Sequence, residues 1–128
     1  MQLMREYTFE AAHHLPSVPA DHKCSRIHGH SYRIVVYVEG EVNADTGMVI
    51  DFAEIDATVT PLVIAHLDHR YLNDLADLKN PTAENLARWI WTRVRPEMPM
   101  LKAIEVRETP TCAVLYDGRD EPARPRPA

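Results

Sequence analysis

The chain has 128 residues, room for one domain, and that length can bury roughly two-thirds of the unfolded surface without a disulfide scaffold. Hydrophobic residues make up 45% and charged residues 26%, which excludes a disordered or collagen-like chain. The net charge of −5 argues against non-specific nucleic-acid binding, which needs a basic face, but leaves a small anionic substrate open because a few local Arg or Lys suffice.

Two Cys are too few for a disulfide framework. The opening MQLMREYTFE has no apolar signal core, and no later run reaches the ~18 apolar residues of a membrane span. The expectation is a cytoplasmic protein without a membrane partner and with both thiols reduced. The unusual count is 7 His, five of them between positions 13 and 30.

In chain order, residues 3–13 alternate as a strand, with Leu3, Tyr7, Phe9, Ala11 and His13 sharing one parity and Arg5 breaking it. Residues 14–27 carry two Pro and three charges and read as a loop. Residues 28–39 form the clearest strand, with His28, His30, Tyr32, Ile34, Val36 and Val38 on one face. Asn43, Asp45 and Gly47 mark a turn. Asp51 with Glu54 signals a helix start, and Phe52, Ile55, Val59, Leu62 and Val63 follow at helical spacing. Pro61 should kink or split that helix, since it removes a backbone donor.

Residues 66–81 read as a loop containing HLDHRYLND. Thr82 can cap a second helix through Leu86, Trp89, Ile90 and Val94. Residues 101–109 and 112–117 form two more strands around Pro110-Thr111. Residues 118–128, with three Pro and no apolar residue larger than Ala, are expected to be a disordered tail, so the domain should span 1–117. The order ββααββ implies an α+β fold, a four-stranded antiparallel sheet with two helices on one face.

His28-Gly29-His30 sets two imidazoles at i and i+2 on one strand face, and His13 ends another strand with the parity to join them. Three neutral imidazoles from two strands can hold Zn²⁺ with a fourth position open, although clustered histidines can also be plain surface or core residues. His14 should point to the other face, and His22 should sit solvated in the loop. Cys24 is open to three readings: fourth ligand of a closed site, catalytic thiolate, or ordinary loop residue. Cys112 reads as a small packing residue. Asp68 beside His69 could form an oriented acid–base pair, or a solvated loop dipeptide. Glu108 shares parity with Ile104 and Val106, so it either faces inward and grips a ligand's N–H groups or lies beyond the strand and is exposed.

Taken together, FEAAHHLP, KCSRIHGHSY, TGMVIDFAEI, LDHRYLND, NPTAENLARWIW and RETPT, in that order, resemble the pterin-synthase family of the T-fold. The likeness runs from residue 7 to about 117 and is nearest the branch that makes 6-carboxy-tetrahydropterin, where Cys24-x-x-x-His28 is the short spacing. The resemblance implies Zn²⁺ held by His13, His28 and His30, a catalytic thiol at Cys24, acid–base partners Asp68 and His69, and a pterin anchor at Glu108. It implies a pterin triphosphate substrate, 7,8-dihydroneopterin triphosphate. The products would be 6-carboxy-5,6,7,8-tetrahydropterin, acetaldehyde and triphosphate, within queuosine biosynthesis. It implies a homo-oligomer built on trimers, as a trimer or hexamer, with active sites between subunits. Lys23 and Arg26 flank Cys24 and are either triphosphate contacts or ordinary solvated loop charges. The alternatives are the 6-pyruvoyl branch, which eliminates triphosphate and keeps every carbon of the substrate's side arm, and a non-catalytic zinc or pterin-binding module. The stretch Thr109-Pro110-Thr111-Cys112 departs from the family pattern at the expected pocket rim, and the tail from Gly118 has no counterpart.

Overall fold

The computed structural model describes residues 1–120. Strands β1 (Gln2–His13) and β2 (His28–Glu39) pair antiparallel without a break, from Gln2 opposite Glu39 to His13 opposite His28. Alternation then sends His13, His28 and His30 to the face that carries Phe9, Tyr32, Ile34, Val36 and Val38, the buried face. The loop between these strands holds one 3₁₀ turn, Lys23–Ser25.

Helix α1 (Phe52–Val59) starts where the Asp51 side chain accepts the Ala53 N–H, as the start signal predicts. Pro61 does interrupt it. Residues Thr60–Ile64 widen into a π-helical turn, with the Ala65 N–H reaching back to the Thr60 carbonyl, before the short α2 (Ala65–Leu67). Helix α3 (Ala83–Val94) is capped by Thr82, whose hydroxyl accepts the Asn85 N–H.

The sheet has five strands, not the expected four. Arg70–Tyr71, inside the stretch read as a loop, forms β3 and pairs parallel to β1. Strands β4 (Leu101–Thr109) and β5 (Cys112–Tyr116) follow around the expected turn, giving the order β3-β1-β2-β4-β5. Two residues carry no readable period, and β3 exists because the free edge of β1 accepts it. Ile55, Val59, Val63 and Leu67 from the first helical run and Leu86, Ile90 and Val94 from α3 pack on the buried sheet face. Truncating a large aliphatic side chain among these, such as Ile55 or Leu86, to Ala costs about 2–5 kcal/mol.

Arg5 keeps the inward parity of its strand despite its charge. Its guanidinium lies over the Tyr7 ring at 4.6 Å and bonds Asp56 of α1 at 2.9 Å, so the charge is met at the margin of the core. At the C-terminal side, Gly118 takes φ +87° against Trp91, and Asp120 accepts from Arg88 and Tyr116. Gly118 and Asp120 of the expected tail thus meet the domain, and residues 121–128 lie outside the described residues. No helix among the described residues is long and apolar enough to cross a membrane.

Candidate active site

At the end of the β1–β2 pair, the ligating nitrogens of His13, His28 and His30 lie within 4.8 Å of one another. Their rings contact edge to face, with His13 and His28 centroids at 4.6 Å and His28 and His30 at 4.9 Å. His13 is buried, and its Nδ1 lies 2.8 Å from the Pro81 carbonyl at the start of α3. His28 Nδ1 lies 2.8 Å from the Arg26 carbonyl. A carbonyl oxygen only accepts, so each Nδ1 carries the proton and donates. In the neutral rings both Nε2 atoms are then bare lone pairs, and they face each other at 3.0 Å.

Two lone pairs at that distance repel unless a cation lies between or beside them. The separation is near the ~3.3 Å expected between imidazole nitrogens on one tetrahedral Zn²⁺. Burial lowers the pKa of His13, against the Pro81 carbonyl and Glu108, which raise it. Burial, with His28 beside it, also lowers that of His30. Both rings therefore favour the neutral form a metal needs. The donor set, with the tautomers of His13 and His28 set by backbone carbonyls, fits a metal ion held by three imidazoles.

Cys24 lies in the 3₁₀ turn, half-buried, and its thiol is outside the imidazole group. Its amide N–H donates to His22 Nδ1, so His22 caps the turn rather than merely facing water. Its carbonyl accepts the Leu15 N–H at 2.7 Å, which draws the turn to the segment just beyond His13.

Asp68 and His69 do form a pair, Oδ1 to Nδ1 at 2.9 Å, at the outer edge of β1. The Glu10 N–H, followed by the His69 contacts, lowers the pKa of Asp68 against its desolvation. His69 takes φ +58° and leaves its ring mostly exposed. Among the described residues no hydrogen bond joins this pair to Cys24.

Glu108 faces inward, half-buried, in a cavity of about 190 Å³ that it shares with Glu84, Val106 and Cys112. Desolvation raises its carboxyl pKa, His13 and His28 pull it down, and Glu84 pushes it up. Cys112 is exposed at this rim, not a packing residue as expected. Lys23 and Arg26 are exposed beside the thiol.

The profile of the 6-pyruvoyl tetrahydropterin synthase family matches residues 2–119. The protein belongs to that family. Its sequence is 44% identical over 119 residues, 89% of this chain and 91% of the other, to a Synechocystis protein named 6-carboxy-5,6,7,8-tetrahydropterin synthase. It is 32% identical over 133 residues, 91% of each chain, to the human 6-pyruvoyl tetrahydrobiopterin synthase. The Caenorhabditis elegans 6-pyruvoyl tetrahydropterin synthase structure superposes with a TM-score of 0.85 at 29% identity, covering 93% of this chain and 96% of that one. The protein is thus a T-fold pterin synthase and an enzyme of the lyase type.

Three contributors to this candidate site gave no signal in the sequence. The Pro81 carbonyl is a backbone atom, invisible to side-chain motifs. Glu84, in the first turn of α3, reads as a charge favoured by the helix dipole, and only the fold sets it beside Glu108. Tyr32 lies with the core residues of β2, yet its hydroxyl is 3.2 Å from His13 Nδ1.

Proposed function

We propose that the protein is a zinc-dependent 6-carboxytetrahydropterin synthase. It converts 7,8-dihydroneopterin triphosphate to 6-carboxy-5,6,7,8-tetrahydropterin, releasing acetaldehyde and triphosphate, in the cytoplasm and within queuosine biosynthesis. The 44% identity to the Synechocystis protein of that name carries the reading. His13, His28 and His30 hold the metal, each presenting a neutral nitrogen. When bound, Zn²⁺ supplies Lewis-acid stabilisation of negative charge on the oxygens of the substrate's side arm.

The protein's own groups do the rest. The Cys24 thiolate removes a carbon-bound proton from that side arm. His69 passes protons on, with its ring oriented by Asp68, so Nε2 is the nitrogen free to exchange. Glu108 accepts two N–H donors from the amino-pyrimidinone edge of the pterin, a charge-assisted pair. Lys23 and Arg26 meet the triphosphate. Among the described residues no hydrogen bond joins Cys24 to the Asp68–His69 pair. The assembly is a trimer-based homo-oligomer in which each site is completed across a subunit boundary, a reading that rests on the family resemblance alone. The deciding experiment is mass-spectrometric product analysis with 7,8-dihydroneopterin triphosphate. Acetaldehyde with the 6-carboxy product supports the reading, and the 6-pyruvoyl product without acetaldehyde overturns it in favour of the other branch.

A further inference from the structure

Strand β3 pairs with β1 through only two residues, Ala11 with Arg70 and Ala12 with Tyr71. So short a ladder is marginal alone. Both of its ends are extended by other groups. At one end Asp68 Oδ1 accepts the Glu10 N–H at 3.0 Å, and the His69 N–H donates to the Glu10 carbonyl at 2.6 Å. At the other, the carboxamide of Asn73 takes both peptide groups of His14. Its Oδ1 accepts the His14 N–H and its Nδ2 donates to the His14 carbonyl, each at 2.9 Å. The side chain thus does what the backbone of a longer β3 would do.

Asn73 is 9% exposed, and its own carbonyl accepts from Lys79 Nζ at 3.1 Å. His14 follows His13, and the next residue, Leu15, donates to the Cys24 carbonyl. One buried carboxamide therefore joins the segment carrying Asp68 and His69 to the residues carrying His13 and Cys24. We propose that Asn73 is a positioning residue, fixing the end of β1 so that His13 presents Nε2 to the metal. This rests on the metal reading above. With Asn73 truncated, the His14 peptide loses both partners in a partly buried place, and the backbone must turn to reach water. His13 turns with it, because its Cα is one peptide away.

The test measures zinc affinity by chelator competition, independent of turnover, in the full-length protein. Wild type is compared with Asn73→Ala, Asn73→Asp and a destabilised control in α1, Val59→Ala. Asn73→Ala weakens zinc roughly tenfold, the low end for residues that orient metal ligands. It also changes the visible spectrum of the cobalt-loaded protein, which reports ligand geometry. Asn73→Asp keeps the acceptor for the His14 N–H but loses the donor, so its affinity falls between the two. Should Asn73→Ala fail to fold, Asn73→Asp alone carries the comparison. Val59→Ala melts lower yet keeps wild-type zinc affinity and spectrum. Wild-type affinity in both Asn73 variants, or equal weakening in Val59→Ala, overturns the proposal. Wild type that takes up no zinc overturns it together with the metal reading. Wild type that binds zinc but yields no 6-carboxy product removes only the proposed function, and the affinity comparison still decides the role of Asn73.

Discussion

The imidazole cluster and the groups proposed to react beside it are held in different ways. His13 and His28 sit directly opposite each other in a continuous twelve-residue strand pair, and their rings are oriented by the Pro81 and Arg26 carbonyls. Cys24 rides on a three-residue 3₁₀ turn fastened by His22 and Leu15, and His69 projects from a residue with positive φ at the sheet margin. The difference teaches that the strand pair by itself preorganises a set of imidazoles that could hold a metal ion. The groups proposed as base and proton relay, Cys24 and the Asp68–His69 pair, have separate partners on separate segments.

The sharpest break would come at the strand pair. His28→Ala should remove both zinc and product formation, read by metal analysis and turnover on the same preparation, whereas a variant with full zinc would refute the ligand assignment. The loop side should behave oppositely. Cys24→Ala is expected to keep zinc and pterin binding while product formation falls at least about a hundredfold, the low end for losing a positioned acid–base group. Cys24→Ser should do little better, since a hydroxyl is far less acidic than a thiol. Zinc lost along with activity would make Cys24 a ligand and erase the contrast between the two regions.

Glu108 belongs to neither region, and Glu108→Gln should weaken apparent pterin affinity about ten- to a hundredfold with zinc retained, the range for a hydrogen bond to a charged group. Burial raises the Glu108 pKa, so the anion proposed to bind the pterin is lost as pH falls through that raised value. Wild-type affinity should therefore weaken on acidification earlier than a solvent-exposed Glu would allow, and the Gln variant should lose this step in a binding-versus-pH series. The smallest effect is a control: Asp51→Ala removes the cap of α1 and should cost about 1 kcal/mol in urea unfolding without altering zinc content.

Much of the architecture was legible in the residues. Alternation from His28 to Arg33, before the continuously apolar run from Ile34 to Val38, marks the buried face, and that same parity brings the imidazoles to one side. Asp51, Pro61 and Thr82 act through local backbone chemistry, so their effects could be read at their own positions. Glu108 was marked by sharing parity with Ile104 and Val106, and the ordered motifs from FEAAHHLP to RETPT carried the family.

What tertiary structure alone decided involves partners distant in sequence or atoms that no side-chain pattern encodes. Strand β3 has two residues and no period, so its existence depends on the open edge of β1. The tautomer of His13 depends on a carbonyl 68 residues away. Asn73 looks like any loop Asn until the fold returns His14 to it, and Glu84 becomes a neighbour of Glu108 only when α3 packs beside β4. Periodicity and caps are short-range properties that each segment carries within itself. A hydrogen bond across the sheet edge, or a carboxylate facing another from a different element, exists only after the core has chosen how those segments meet.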